Sequence, residues 1–284
     1  MTDAPSKPIT LRTLRRMVDA GEPFACLTAY DATTARWLER AGIPLLLVGD
    51  TAAEVILGLP STIHCPLDVL LALTAAVKRG APNTMVMGDM PFLSYQADSA
   101  EAVRNAGRFL TEGLADLVKL EVDGSWAPLV RTLDRAGIPV VAHIGSRPQR
   151  AKHDGGYRAA GRTQAQANTL IEDAQRLEDA GATMLLIEAV PAEVAASIVE
   201  QTMIPVIGCG AGPACHGQIV VLHDLLGLTD WQPAFAQPIG DVAQSLTGAA
   251  KTWIQNVANR NLGDHPYTMI DAKHSKPTKI SPTG

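Results

Sequence analysis

Four apolar segments of the chain each run into a carboxylate. Leu45–Gly49 meets Asp50, Thr84–Gly88 meets Asp89, Leu117–Leu120 meets Glu121 and Met184–Ile187 meets Glu188. A short apolar run bounded by turn residues reads as a buried parallel strand. A carboxylate is costly to bury, so an acid closing such a run belongs where strand ends open into a shared pocket. Oxygen ligands from several strand ends, with no His pair and no thiolate cluster, suit a hard divalent cation, Mg²⁺ rather than Zn²⁺. The natural chelator for such an ion is a 2-oxo acid, whose keto oxygen the cation would polarise as a Lewis acid.

Each of these residues also has a plainer reading. A lone Asp at a strand end often caps the following helix. Asp50 and Asp89, both preceded by Gly, with Glu121 on the next strand, are harder to explain by capping. Lys119 lies two residues before Glu121 and so shares its side of the strand; it could recognise a substrate carboxylate or neutralise the acids. His143 closes Val140–His143, either as a satisfied structural group or as part of the polar strand-end face. Glu188 has no basic neighbour in sequence, and apolar walls would raise its pKa and suit it to act as a general base. The run Ile207–Gly212 reads either as a phosphate cradle or as a tight turn that admits a close neighbour.

The elements that must position these groups recur at a regular beat. Strand candidates are Phe24–Ala29, Leu45–Gly49, Thr84–Gly88, Leu117–Leu120, Val140–His143, Met184–Ile187, Val206–Cys209 and a weaker Ala234–Ala236. Helical periodicity fills Thr33–Ala41, Ala100–Gly113, Ala127–Ala136 and Thr163–Ala180, and three of these stop at a Gly followed by an apolar run, the helix-to-strand turn of a β/α unit. Ala-Gly-Ile-Pro occurs twice, at Ala41–Pro44 and Ala136–Pro139. Eight such units in this length predict an α/β fold, a closed (β/α)8 TIM barrel, with an open doubly wound sheet as the alternative. No Pro/Ser-rich linker divides the chain, which predicts one domain over residues 1–284. The first ten residues and the tail from about Asp271 are expected to be mobile.

Composition sets the remaining bounds. The 284 residues are 46% hydrophobic but only 4% aromatic, so the core must be built from aliphatic side chains and Met. The formal charge of −5, with scattered Lys and Arg, gives no face for nucleic acid and no membrane anchor. Cys26, Cys65, Cys209 and Cys215 show no C-x-x-C pairing and read as reduced thiols of a cytoplasmic protein. Neither a signal peptide nor a membrane-spanning run is visible.

With these residues in place, the chain resembles the ketopantoate hydroxymethyltransferase family from about Thr10 to Met269. The resemblance rests on Thr28-Ala29-Tyr30-Asp31, Val48-Gly49-Asp50, Lys78-Arg79-Gly80-Ala81-Pro82-Asn83, Asp89-Met90-Pro91-Phe92, Lys119-Leu120-Glu121, His143-Ile144-Gly145, Gly155-Gly156-Tyr157, Ile187–Pro191, and Gly208–Gly212 with Gly217-Gln218-Ile219. It implies a barrel of the phosphoenolpyruvate mutase/isocitrate lyase type, usually a homodecamer. It also implies Asp50 and Asp89 as Mg²⁺ ligands with Glu121 close to the ion. Asp50, Asp89, Thr51, Lys119 and His143 would then meet the 2-oxo acid, with Glu188 as base or proton relay. The family transfers a one-carbon unit from methylenetetrahydrofolate to 2-oxoisovalerate, giving ketopantoate.

The chain departs from the family pattern at several places. Thr51 stands where Ser is usual, Ala53-Glu54 where Gly-Met is usual, and Pro60 where Asp or Ser is usual. His216-Gly217-Gln218 replaces Asp-Gly-Gln, and Glu121-Val122-Asp123-Gly124 replaces Glu-Gly-Gly. The acids and base are intact while the loop after the second strand is altered, which predicts weaker acceptance of branched 2-oxoisovalerate than in the chain's relatives. The competing readings are a lyase or transferase of the same superfamily acting on another 2-oxo acid, and a barrel kept as a non-enzymatic scaffold. The second would require loss of a ligand or base, and none is lost.

Overall fold

Alternation along each strand decides which residues meet the barrel axis. In a computed structural model, which describes residues 7–267 and Met269, eight parallel strands close into a barrel in sequential order, β1 to β8. They are β1 Phe24–Thr28, β2 Leu45–Val48, β3 Met85–Asp89, β4 Leu117–Glu121, β5 Val140–Gly145, β6 Met184–Glu188, β7 Val206–Cys209 and β8 Gly217–Val220. One set of strand residues (Cys26, Leu45, Leu47, Met85, Met87, Leu117, Val141, Met184, Leu186, Ile207 and Ile219) packs as the inner cluster. The alternate set, including Leu46, Val86, Val118, Ala142 and Leu185, packs outward against the helices.

The helices are α1 Leu11–Asp19, α2 Ala32–Arg40, α3 Ala52–Val55, α4 Leu67–Gly80, α5 Ser99–Thr111, α6 Ala127–Arg135, α7 Ala151–Asp154, α8 Gln164–Asp179, α9 Ala192–Gln201, α10 Leu222–Leu225 and α11 Val242–Ala258. Local chemistry fixes their ends. Asp31 caps α2 through the Thr33 and Thr34 N–H groups, Asp98 caps α5, and Thr163 caps α8. After α2, α6 and α8 the chain turns through Gly42, Gly137 and Gly181 at φ of 88°, 78° and 100°, a conformation that costs Gly nothing. The recurring Ala-Gly-Ile-Pro is therefore this turn. Leu14 of α1, fully buried, joins the inner cluster. The Ile9 N–H donates to Asn83 O just ahead of β3, so α1 covers the N-terminal end of the barrel.

The eighth strand is not Ala234–Ala236, which lies at a turn, but Gly217–Val220. It is reached from β7 through residues 210–216 with no helix between. The expected beat requires that helix. The true strand opens on Gly217 and an exposed Gln218, leaving only two apolar residues as signal.

Of the first ten residues, 7–10 are described, and Thr10 caps α1; residues 1–6 and the tail from Asp271 lie outside the described residues. Contacts divide the chain into two compact units, Met1–Gly240 and Asp241–Gly284. The barrel belongs to the first. The second contains α11, capped by Asp241 and carrying exposed Leu246, Trp253, Ile254 and Val257.

Candidate active site

The inward set continues past the apolar layer and becomes polar at the C-terminal strand ends. Met87 is followed two residues on by Asp89, Leu117 by Lys119 and Glu121, Val141 by His143, Leu186 by Glu188 and Ile207 by Cys209. At β2 the inward position past Leu47 is Gly49. A Cβ there would meet Thr51 Oγ1 at 2.9 Å and Asp89 Oδ2 at 3.7 Å. The absent side chain leaves room at the pocket floor, and Asp50 enters from the loop beyond. Gly88 has a different reason: it faces outward, where a Cβ would strike the Phe109 ring.

All seven residues singled out from the sequence, Asp50, Thr51, Asp89, Lys119, Glu121, His143 and Glu188, line one cavity of about 60 Å³. Lys119 Nζ donates to both oxygens of Asp89 at 2.7 Å, and both side chains are buried. Burial pushes the Asp89 carboxyl up, Lys119 opposes it, and Asp50 pushes the same way as burial. The surrounding carboxylates keep Lys119 protonated against the cost of burial. The Asp50 N–H donates to Asp89 Oδ2 at 3.1 Å, tying the two strand ends together.

Two residues absent from the sequence reading organise the acids. Gln149 Nε2 donates to Asp50 Oδ2 and to Met90 O, each at 3.0 Å, and the Gln149 N–H donates to Glu121 Oε2 at 3.0 Å. The buried Tyr95 hydroxyl accepts from the Glu121 N–H at 3.1 Å and lies 3.1 Å from Gln149 Oε1. Gln149 sits in Ser146–Arg150, a polar stretch indistinguishable by composition from a solvated loop. Tyr30 was visible only as part of a motif; its hydroxyl lies 2.6 Å from Thr51 Oγ1.

Among the described residues, three polar atoms of this cavity have no hydrogen-bond partner: Glu121 Oε1 and both ring nitrogens of His143. His143 Nε2 lies 3.5 Å from Glu188 Oε2 and Nδ1 lies 3.9 Å from Glu121 Oε1. Burial, then Lys119 and Arg147, lower the His143 pKa far enough to keep the ring neutral. Glu188 is pushed from 4.5 up to about 7, chiefly by burial, with Lys119 opposing and Asp50 and Asp89 adding to it. Such a carboxylate is matched to proton abstraction near neutral pH.

No three His, Cys, Asp or Glu side chains form a ready metal cage among the described residues. In the altered loop, Thr51 lines the small cavity, whereas Glu54 lines only a larger one beside it and Pro60 lines neither. The space beside the glycines of Ile207–Gly212 is filled by protein: a Cβ on Gly208 would meet Cys215, on Gly210 the Phe235 ring and on Gly212 Ala192. Of the two readings of that run, close approach is the one seen. The four cysteines are free, and no helix among the described residues is long and apolar enough to cross a membrane.

Known proteins resemble the chain in sequence and in fold. The 3-methyl-2-oxobutanoate hydroxymethyltransferase of Hyperthermus butylicus is 45% identical over 251 residues, covering 88% of this chain and 87% of that protein. The enzyme of the same name from Syntrophus aciditrophicus is 40% identical over 270 residues, covering 95% and 99%. Among solved structures, a phosphoenolpyruvate phosphomutase from Streptomyces platensis superposes with a TM-score of 0.60 at 14% identity, covering 88% of each chain. A 2,3-dimethylmalate lyase of the PEP mutase/isocitrate lyase superfamily does so at 0.58 and 17% identity, covering 91% of each. These last two show the fold. The model of the family described as ketopantoate hydroxymethyltransferase matches residues 8–265, and the chain belongs to that family.

Proposed function

We propose that the protein transfers a hydroxymethyl group from methylenetetrahydrofolate to 3-methyl-2-oxobutanoate (2-oxoisovalerate), giving ketopantoate for pantothenate synthesis, with Mg²⁺ at the strand-end acids. The observation that carries this reading is one small cavity joining acids, a buried ammonium, a neutral His and a carboxyl raised to about 7. The donor set fits Mg²⁺, which is typically held by one or two carboxylates and keeps waters and substrate oxygens for its other positions. Asp50 and Asp89 would hold the ion, with the partnerless Glu121 Oε1 available to a water beside it. When bound, Mg²⁺ supplies Lewis-acid stabilisation of charge developing on the keto oxygen.

The chain's own groups do the rest. Lys119 balances the acids and offers its ammonium to the substrate carboxylate. The Thr51 hydroxyl, held by Tyr30, and the neutral His143 ring orient the 2-oxo acid. Glu188 takes the C3 proton, and C3 attacks the methylene carbon of the donor. Both bonds from that carbon to the folate nitrogens break, water supplies the hydroxyl, and tetrahydrofolate leaves carrying the protons on nitrogen. The free thiols suit a reducing compartment such as the cytoplasm, and the apolar stripe of α11 suits a homo-oligomer.

The purified protein with Mg²⁺, methylenetetrahydrofolate and 2-oxoisovalerate should form ketopantoate, and 2-oxo acids of other sizes should react more slowly. Faster turnover of a smaller, unbranched 2-oxo acid would move the reading to another substrate. In that case Thr51, the altered residue on the small cavity, is the first position to revert to Ser.

A further inference from the structure

The small cavity adjoins a larger one of about 780 Å³, within the range of pockets that enclose a whole cofactor. The two share Thr51, Pro148, Glu188, Cys209, Val220 and Val221. The rest of the larger wall is aromatic and charged. Tyr157, Trp231 and Phe235 contribute flat rings, Glu54, Asp224 and Asp230 contribute carboxylates, and Arg158 and His223 contribute basic groups. The rings are open to solvent, with Trp231 at 73% exposure. Asp224 is buried, and Thr229 Oγ1 donates to its Oδ1 at 2.7 Å, which fixes the plane of the carboxylate. Thr62, buried on the same wall, has a hydroxyl without a partner.

We infer that this cavity seats the pterin of the one-carbon donor, with Asp224 receiving the paired N–H donors of the ring and Trp231 and Phe235 covering its faces. The inference rests on the transfer reaction proposed above. A 2-amino-4-oxo pterin presents a ring N–H and an exocyclic amine side by side, donors that one carboxylate can accept with both oxygens. Its faces are flat and apolar and are best covered by aromatic side chains. Burial raises the pKa of both Glu54 and Asp224, and N–H donors from a ligand would offset that cost. The shared rim at Thr51 and Glu188 brings the donor's carbon beside the carbon that Glu188 deprotonates. Phe235 keeps its place because Gly210 has no side chain to displace it.

The test uses the full chain and two separate readouts. Calorimetric titration with tetrahydrofolate reads the larger cavity. Exchange of the C3 proton of 2-oxoisovalerate in deuterated water, with Mg²⁺ and no folate, reads the small one. Asp224→Asn and Asp224→Ala should weaken tetrahydrofolate binding roughly 10–100-fold, the loss expected for hydrogen bonds to a charged group. Phe235→Ala should weaken it as well, and exchange should persist in all three. Should an Asp224 variant fail to fold, Phe235→Ala decides. Wild-type affinity in the folded variants, with transfer intact in the unmodified protein, would place the donor elsewhere and overturn the inference while leaving the proposed reaction standing. Loss of exchange together with binding would also overturn it, because the site would not be separable. A wild type that neither binds tetrahydrofolate nor transfers the one-carbon unit would remove the reaction first and the inference with it.

Discussion

At the scale of single residues, Glu188 and Gln149 carry the most testable roles. Glu188→Gln should slow folate-independent exchange of the substrate's C3 proton by about 10²–10⁴-fold, the usual contribution of a general base. The base acts only when ionised. With its carboxyl raised to about 7, the exchange rate should climb as pH rises toward 7 and level off above it. A flat profile between pH 5 and 9 would assign the base elsewhere. Gln149→Ala removes a bond to Asp50 without removing a carboxylate. Loss of such an orienting partner typically costs about 10–100-fold in metal affinity, which Mg²⁺ titration of the folded variant would measure. The difference between these two residues explains what could be read from sequence. A carboxylate closing an apolar run is an anomaly that calls for a reason, so Asp50, Asp89, Glu121 and Glu188 stood out. An amide in a polar loop is ordinary until the fold brings it under two strand ends.

At the scale of elements, the barrel is held at its N-terminal side by Glu39, a buried acid on α2. Its Oε2 accepts the N–H groups of Asn83 and Thr84 at 2.8 and 3.0 Å, where the chain enters β3. Leaving buried donors unsatisfied costs about 1–3 kcal/mol each, so Glu39→Ala, which strands two of them, should destabilise the protein by roughly 2–6 kcal/mol. Chemical denaturation would measure the loss, with catalysis at permissive temperature unchanged. Strands β1 to β7 were legible because each is an apolar run, and ahead of β2, β5 and β6 a turn glycine and a periodic helix agree with it. The eighth was not, because β8 follows β7 without a helix and offers mainly Ile219 and Val220. The glycines before Asp50 and Asp89 look alike in sequence, yet one keeps the pocket floor open and the other admits Phe109. Only the direction of each strand residue separates the two cases.

For the whole molecule, α11 poses the question of assembly. None of its 17 residues is buried, and Leu246, Trp253, Ile254 and Val257 recur at the spacing of one helical face. An apolar stripe of this kind would suit a surface on which copies of the chain associate. Light scattering should find a homo-oligomer, and Trp253→Glu with Ile254→Glu should shift it to smaller species while the barrel stays folded. A monomeric wild type would remove this role for α11. The nesting of the two cavities has a consequence in time as well as in space. The small chamber lies against the larger one, and α1 covers the opposite end of the barrel. A donor seated outside would therefore bar the way to the acid inside. Turnover should follow a compulsory sequence, 2-oxo acid first and folate second, with the hydroxymethylated product leaving last. Product-inhibition patterns would display it: ketopantoate competitive against the 2-oxo acid alone, and excess folate slowing each cycle by trapping product behind it.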